Sequence, residues 1–218
     1  MAGCCGGTAC GIGRCFGRFS RRYTRRYERR GLEATQKQLV AGLQKAGFDG
    51  RSLLEIGCGV GYLHQYLLLR GAATAVGVDL APAMLTEAQA LAARQGLAQR
   101  TRYLPGDFEV LAPELDVADI TLLDKVVCCY PDAPGLMAAT IARTKEICAL
   151  TLPRGHALNR VAARLGGGLL RAVGSGYRPF VHDPMMIDRQ LRAAGFKCVY
   201  EARTLIWLTR LYRRVPVS

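Results

Sequence analysis

Residues 53–63, LLEIGCGVGYL, form an apolar run that stops at glycines on alternate positions and then resumes with helix-like spacing. A buried strand that runs through a glycine turn into a helix is the opening half of a βαβ unit, and it commits the chain to a parallel sheet reached through crossovers. Glycines at that junction also let backbone amides approach a nucleotide-bearing ligand. The turn alone leaves two ligands open, a dinucleotide or a methyl donor.

The rest of the chain repeats the pattern. Residues 18–30, RFSRRYTRRYERR, put Tyr23 and Tyr27 on one face of a leading helix with arginines around the remainder. Residues 31–46 place Leu32, Leu39, Val40 and Leu43 at helical spacing and stop at Gly47. Strands are then expected over residues 52–56, 74–78, 101–104, 118–123 and 147–152, with helices over 60–70, 82–95 and 134–143 between them. Residues 156–177 read as an interrupted basic helix, and a short helix follows, capped by Asp183, opened by Pro184 and stopped by Gly195. Two last strands, 197–201 and 206–212, lie close enough in sequence to be antiparallel. The expectation is an α/β, Rossmann-like domain over residues 32–218, with a mostly parallel seven-stranded sheet, helices on both faces and a C-terminal antiparallel hairpin. Residues 1–31 form a Cys/Arg-rich leader.

Charge is segregated along this plan. The chain has 30 Lys and Arg against 17 Asp and Glu, a net of +13, yet residues 32–150 are net −3, whereas residues 1–31 carry +7 and residues 151–218 carry +9. Basic ends on an acidic centre imply an anionic partner. No stretch reaches the roughly 18 uncharged apolar residues needed to cross a bilayer, and the leader lacks a continuous apolar signal region, so a cytoplasmic location is expected. Cys58, Cys128, Cys129, Cys148 and Cys198 fall in stretches that read as core, where a thiol acts as a small hydrophobe. Cys4, Cys5, Cys10 and Cys15 lack the paired C-x2-4-C spacing of structural zinc sites, so no metal is expected.

In the dinucleotide fingerprint G-x-G-x-x-G the third glycine lets helix and strand approach each other; counting from Gly57, that place is Tyr62. The glycines read instead Glu55-x-Gly57-x-Gly59-x-Gly61. Asp79 ends the second strand, where a carboxylate can bind both ribose hydroxyls, and Gly106-Asp107-Phe108 follows the third. With these motifs in this order, residues 50–152 resemble the class I S-adenosylmethionine-dependent methyltransferases. The resemblance implies S-adenosylmethionine as cofactor. It places Gly57, Cys58, Gly59 and Gly61 against the donor's methionine and ribose parts, Glu55 near its amino group and Asp79 on the ribose. Asp107 would meet the adenine amino group, with Leu80 and Phe108 beside the ring; Asp124, at the end of the fourth strand, completes the set.

Acceptor chemistry is read from residues 122–135, LLDKVVCCYPDAPG. The segment has neither the Asn/Asp-Pro-Pro-Tyr/Phe signature of amino methylation on nucleobases nor a Pro-Cys dyad for attack at a pyrimidine carbon. Its Tyr130-Pro131 pair resembles the branch around magnesium-protoporphyrin O-methyltransferase; where those enzymes carry a histidine just before the pair, this chain has Cys129. Methyl transfer to a carboxylate needs alignment and dehydration rather than a base, so the expected acceptor is an anionic or lipophilic small molecule, methylated on oxygen. Tyr130 and Tyr27 are candidates to line its pocket, and His182 to orient it or take a proton. His64 and His156 read as structural. The alternative is a basic domain of this fold that binds RNA, or sits peripherally on a membrane through its leading helix and the residues in the 160s.

Overall fold

The computed structural model describes residues 20–154 and 180–215. The elements follow in the order α1 (Ser20–Arg30), α2 (Ala34–Ala46), β1 (Ser52–Ile56), α3 (Tyr62–Leu68), β2 (Thr74–Asp79), α4 (Pro82–Arg94) and β3 (Thr101–Pro105). They continue with α5 (Phe108–Leu111), β4 (Ala118–Asp124), α6 (Ala133–Ala142), β5 (Thr144–Pro153), α7 (Pro184–Ala193), β6 (Phe196–Arg203) and β7 (Trp207–Arg214). The strands form one seven-stranded sheet in the order β3-β2-β1-β4-β5-β7-β6. All neighbours are parallel except β7, which runs antiparallel to both β5 and β6.

Because side chains alternate across a strand, the buried run of each central strand feeds two cores. Leu53, Ile120, Leu122, Ile147 and Ala149 face a core shared with Leu39, Leu43, Leu63 and Leu67 from α2 and α3. Their neighbours Leu54, Leu123, Cys148 and Leu150 face a second core with Leu136, Met137, Ile187 and Leu191 from α6 and α7. Burying each such leucine contributes about 1.5–3 kcal/mol; apolar runs rather than alternation are what a sheet covered on both faces requires.

Element boundaries moved where turns or pairing overrode periodicity. The first crossover helix starts at Tyr62 rather than Val60, because the chain up to Gly61 is spent on a turn with Gly57, Gly59 and Gly61 all at positive φ. β5 extends to Thr144–Pro153, paired along its length by β4 on one side and β7 on the other. Asp183 caps α7 by accepting from the Met185 amide at 2.9 Å. α1 packs onto the domain: the Tyr27 ring stacks on Tyr62 with centroids 4.1 Å apart, and Glu28 pairs with Arg94 of α4 at 3.2 Å. Cys4, Cys5, Cys10, Cys15, His156 and the basic segment 156–177 lie outside the described residues. Among the described residues no helix is long and apolar enough to cross a membrane.

Candidate donor and acceptor site

Strand order reverses between β1 and β4, which opens a crevice at the carboxyl ends of the parallel strands. A cavity of about 260 Å³ occupies it. Its walls come from the ends of β1 (Glu55, Gly57), β2 (Asp79, Leu80) and β4 (Asp124, Lys125), closed by Tyr23 of α1, Glu33 and Gln36 at the start of α2, and Phe108 and Tyr130.

The glycine turn is pegged to the second strand. Cys58 donates its amide to Val78 O at 3.0 Å, and the Gly59 amide donates to Asp79 Oδ2 at 2.7 Å. The other Asp79 oxygen accepts from the Ala81 amide at 2.8 Å. Burial pushes the Asp79 carboxyl above its usual range, against the pull of those two amides. Each carboxylate oxygen still has a lone pair for a ligand hydroxyl. Gly57 and Gly59 play different parts. A Cβ on Gly57 would come 2.6 Å from Val126 Cγ2, whereas one on Gly59 would meet nothing within 4 Å, toward the cavity that it lines.

Glu55 is buried, and its Oε2 accepts from both the backbone amide and Nδ1 of His64, at 3.2 and 2.6 Å. Asp124 Oδ1 is buried with no hydrogen-bond partner, and burial raises its pKa despite the neighbouring Lys125. Lys125 itself adopts φ 61, a left-handed conformation costing a non-glycine residue on the order of 1–3 kcal/mol. It is held there by an ion pair to Glu33, whose other oxygen takes Arg26 at 2.7 Å, and by its place over the Trp207 ring. An orphaned carboxylate oxygen and a strained lysine at one strand end are features of a ligand site rather than of folding economy.

Asp124 yields a sign-definite prediction. A carboxyl whose folded pKa is raised adds stability below its unfolded value, near 3.8, and loses it as pH rises through the folded value. At neutral pH the ionised side chain therefore destabilises the ligand-free protein. Asp124→Asn is expected to raise the melting temperature at pH 7.5 by about 2 °C or more, with the gain shrinking as the scan is repeated toward pH 4. An unchanged or lower melting temperature at pH 7.5 would show that the charge is already compensated.

The expected site residues separate into two groups. Glu55, Gly57, Cys58, Gly59, Asp79, Leu80, Phe108, Asp124 and Tyr130 all line the cavity. Gly61, Asp107, His182 and Tyr27 are not among the lining residues. Gly61 opens α3 in a left-handed conformation at φ 77. Asp107 caps α5, accepting from the Glu109 amide at 3.2 Å and from the Tyr130 hydroxyl at 3.1 Å, so its carboxylate supports the wall from behind. His182 stands behind Tyr130, its Nε2 2.9 Å from that residue's carbonyl. The tyrosine of α1 at the cavity is Tyr23, one turn before Tyr27, because stacking on Tyr62 turns Tyr27 into the packing face. Glu33, Gln36, Lys125 and Val126 were not anticipated. The only trace of Lys125 in the sequence was an Asp-Lys pair at a strand end, and Glu33 read as the start of a helix. Among the described residues no cluster of His, Cys, Asp and Glu could hold a metal ion.

A protein-family model described as a methyltransferase domain matches residues 53–146. Over 93 residues, 42% of the chain, the sequence is 33% identical to the ribosomal protein L11 methyltransferase of Aliivibrio salmonicida, but this covers only 30% of that protein. The chain thus spans under a third of the length of this curated relative. The structure is similar to that of magnesium protoporphyrin IX methyltransferase from Synechocystis PCC 6803 with bound SAH, with a TM-score of 0.70 and 20% identity over 94% of this chain and 98% of that one. It is also similar to the (4+2)-cyclase SpnF, with a TM-score of 0.64 and 15% identity over 84% of this chain and 81% of that one. Residues 53–146 thus match a methyltransferase-domain model, and the chain shares the Rossmann-like fold of the magnesium protoporphyrin IX methyltransferase structure.

Proposed function

We propose that the protein transfers the methyl group of S-adenosylmethionine to an oxygen of an anionic, lipophilic small molecule. The fold does not entail methyl transfer, since a cyclase shares it. The observation that carries the reading is the sign of the cavity. In a chain of net charge +13, Glu33, Glu55, Asp79 and Asp124 line this one space, with Lys125 as the cation among them. A pyrophosphate-bearing dinucleotide would be repelled there, whereas a donor carrying a sulfonium and an ammonium is attracted. Glu55 is the natural partner for the ammonium and Asp79 for the ribose hydroxyls. Gly59 supplies clearance, and Leu80 and Phe108 supply apolar walls for the adenine. When bound, that donor supplies an electrophilic methyl group.

Outside the acidic wall the charge reverses. α1 presents Arg21, Arg22, Arg25, Arg26, Arg29 and Arg30 on the helix whose Tyr23 closes the cavity. Guanidinium groups gather carboxylates, so the cationic donor and the anionic acceptor would be selected by opposite fields on adjoining surfaces. The lining also favours an acceptor that is already nucleophilic. Tyr130 is unsuited as a base, because burial and the carboxylate of Asp107 push its pKa up. No histidine lines the cavity among the described residues. A carboxylate needs only alignment and loss of water to react. The similarity to an enzyme of magnesium protoporphyrin IX, a lipophilic dicarboxylate, supports this class of acceptor.

The test is label transfer. Donor carrying an isotopic methyl group is incubated with the protein and a panel of lipophilic carboxylic acids, tetrapyrrole diacids included. The expected product is an organic-extractable methyl ester that mild base hydrolyses. Label that enters only an RNA or protein fraction, or only base-stable products, would overturn the proposed acceptor class.

A further inference from the structure

Behind Glu55 runs a chain of buried polar groups that the donor site does not itself explain. His64 and Gln65 are 0% exposed and Glu55 4%. Gln65 Nε2 donates to Ala88 O at 2.9 Å and to Tyr103 Oη at 2.7 Å. Tyr103 Oη lies 2.9 Å from His64 Nε2, and His64 Nδ1 lies 2.6 Å from Glu55 Oε2.

One backbone carbonyl sets every proton in this chain. Ala88 O can only accept, so the Gln65 amide must present nitrogen there, and the same nitrogen gives its second hydrogen to Tyr103 Oη. The tyrosine's own hydrogen is then directed to His64 Nε2, which must be bare. The imidazole proton therefore sits on Nδ1 and points at Glu55 Oε2. Oε2 of Glu55 thus takes both donors from His64, and the residue itself lines the cavity. A second group that fixes the tautomer of a histidine orients whatever that histidine holds.

We infer that His64 is a positioning residue for the donor: with Tyr103 and Gln65 behind it, it keeps Glu55 turned so that its remaining oxygen binds the donor's α-ammonium. This rests on the donor reading above. Without the Nδ1 hydrogen, Glu55 Oε2 keeps only the longer 3.2 Å bond from the His64 backbone amide, and the carboxylate is no longer held in one orientation toward an ammonium.

The experiment compares two ligands by calorimetry: S-adenosylhomocysteine and its analogue with hydrogen in place of the α-amino group. The parent protein is expected to prefer the amino ligand by at least about 10-fold, and Glu55→Gln to lose that preference. His64→Leu should weaken the amino ligand by about 10-fold while scarcely changing the deamino analogue, and His64→Asn, which restores an N–H near the Nδ1 position, should recover most of the loss. Tyr103→Phe keeps the ring but frees the tautomer, so it should erode the preference a few-fold even if the leucine variant fails to fold. Equal losses on both ligands, or an undiminished preference in His64→Leu or Tyr103→Phe, would overturn the role of His64. A parent that binds neither ligand would overturn the donor reading itself, and with it this role.

Discussion

Asp79→Ala is expected to weaken S-adenosylhomocysteine binding by at least about 100-fold, because two charge-assisted hydrogen bonds to the ribose are each worth about 1.5–3 kcal/mol. The side chain has a second task that enlarges the effect. Its Oδ2 receives the Gly59 amide at 2.7 Å and its Oδ1 the Ala81 amide at 2.8 Å, so the carboxylate also ties the glycine turn to the end of β2. Alanine removes the ligand's acceptor and the peg of the loop together. Asp79→Asn keeps one carbonyl oxygen for an amide and should fall between parent and alanine. The cores on both faces of the sheet do not include this side chain, so the variant should remain folded by circular dichroism. Unchanged calorimetric binding by the alanine variant would remove Asp79, and with it the crevice at β1 and β2, from the donor site. Acid should act in the same direction on the parent. The Asp79 carboxyl is already raised from 3.8 by burial, so affinity is expected to fade on acidification before an ordinary aspartate would protonate.

The architecture was legible in the sequence because its signals are local. A strand buried on both faces shows as a run, a crossover helix as a spacing, and the turns between them as glycine, proline or a capping Asp183; each is decided within a few residues. The cavity wall proposed for the donor was legible for the same reason, since Glu55, Gly57, Gly59 and Asp79 sit at strand ends whose order is fixed once the strands are found. What could not be read is what depends on rotation and meeting across the fold. Tyr23 and Tyr27 are equivalent in a helical repeat; only the stacking of Tyr27 on Tyr62 decides which of them faces the cavity. The trio of Arg26, Glu33 and Lys125 joins α1, the start of α2 and the end of β4, far apart in sequence. Asp107 carries the motif of an adenine partner, and one of its oxygens, Oδ1, also serves the cap of α5 and the Tyr130 hydroxyl. His64 reads as a lone histidine on a core helix until β1 and β3 bring Glu55 and Tyr103 to its two nitrogens.

Substitutions in the glycine turn should divide stability from binding. At Gly57 the chain has φ +63 and a new Cβ would stand 2.6 Å from Cγ2 of Val126, a buried side chain just past β4. Overpacking together with a left-handed alanine costs about 2–4 kcal/mol, so Gly57→Ala should lower the melting temperature by on the order of 10 °C. Gly59 has nearly the same conformation, φ +55, but its Cβ would meet no atom within 4 Å. Only the backbone term of about 1–2 kcal/mol applies there, a drop of a few degrees. The added methyl group would instead stand in the open space proposed for the donor's methionine and ribose parts. Donor affinity in Gly59→Ala is therefore expected to fall by at least about 10-fold, out of proportion to its stability, whereas Gly57→Ala loses stability first. Thermal melts and calorimetry on the two variants measure the two axes separately. If Gly59→Ala binds S-adenosylhomocysteine as the parent does, the open side of that glycine faces solvent and not a ligand. The donor would then have to lie further along the crevice, toward Asp124 and Lys125.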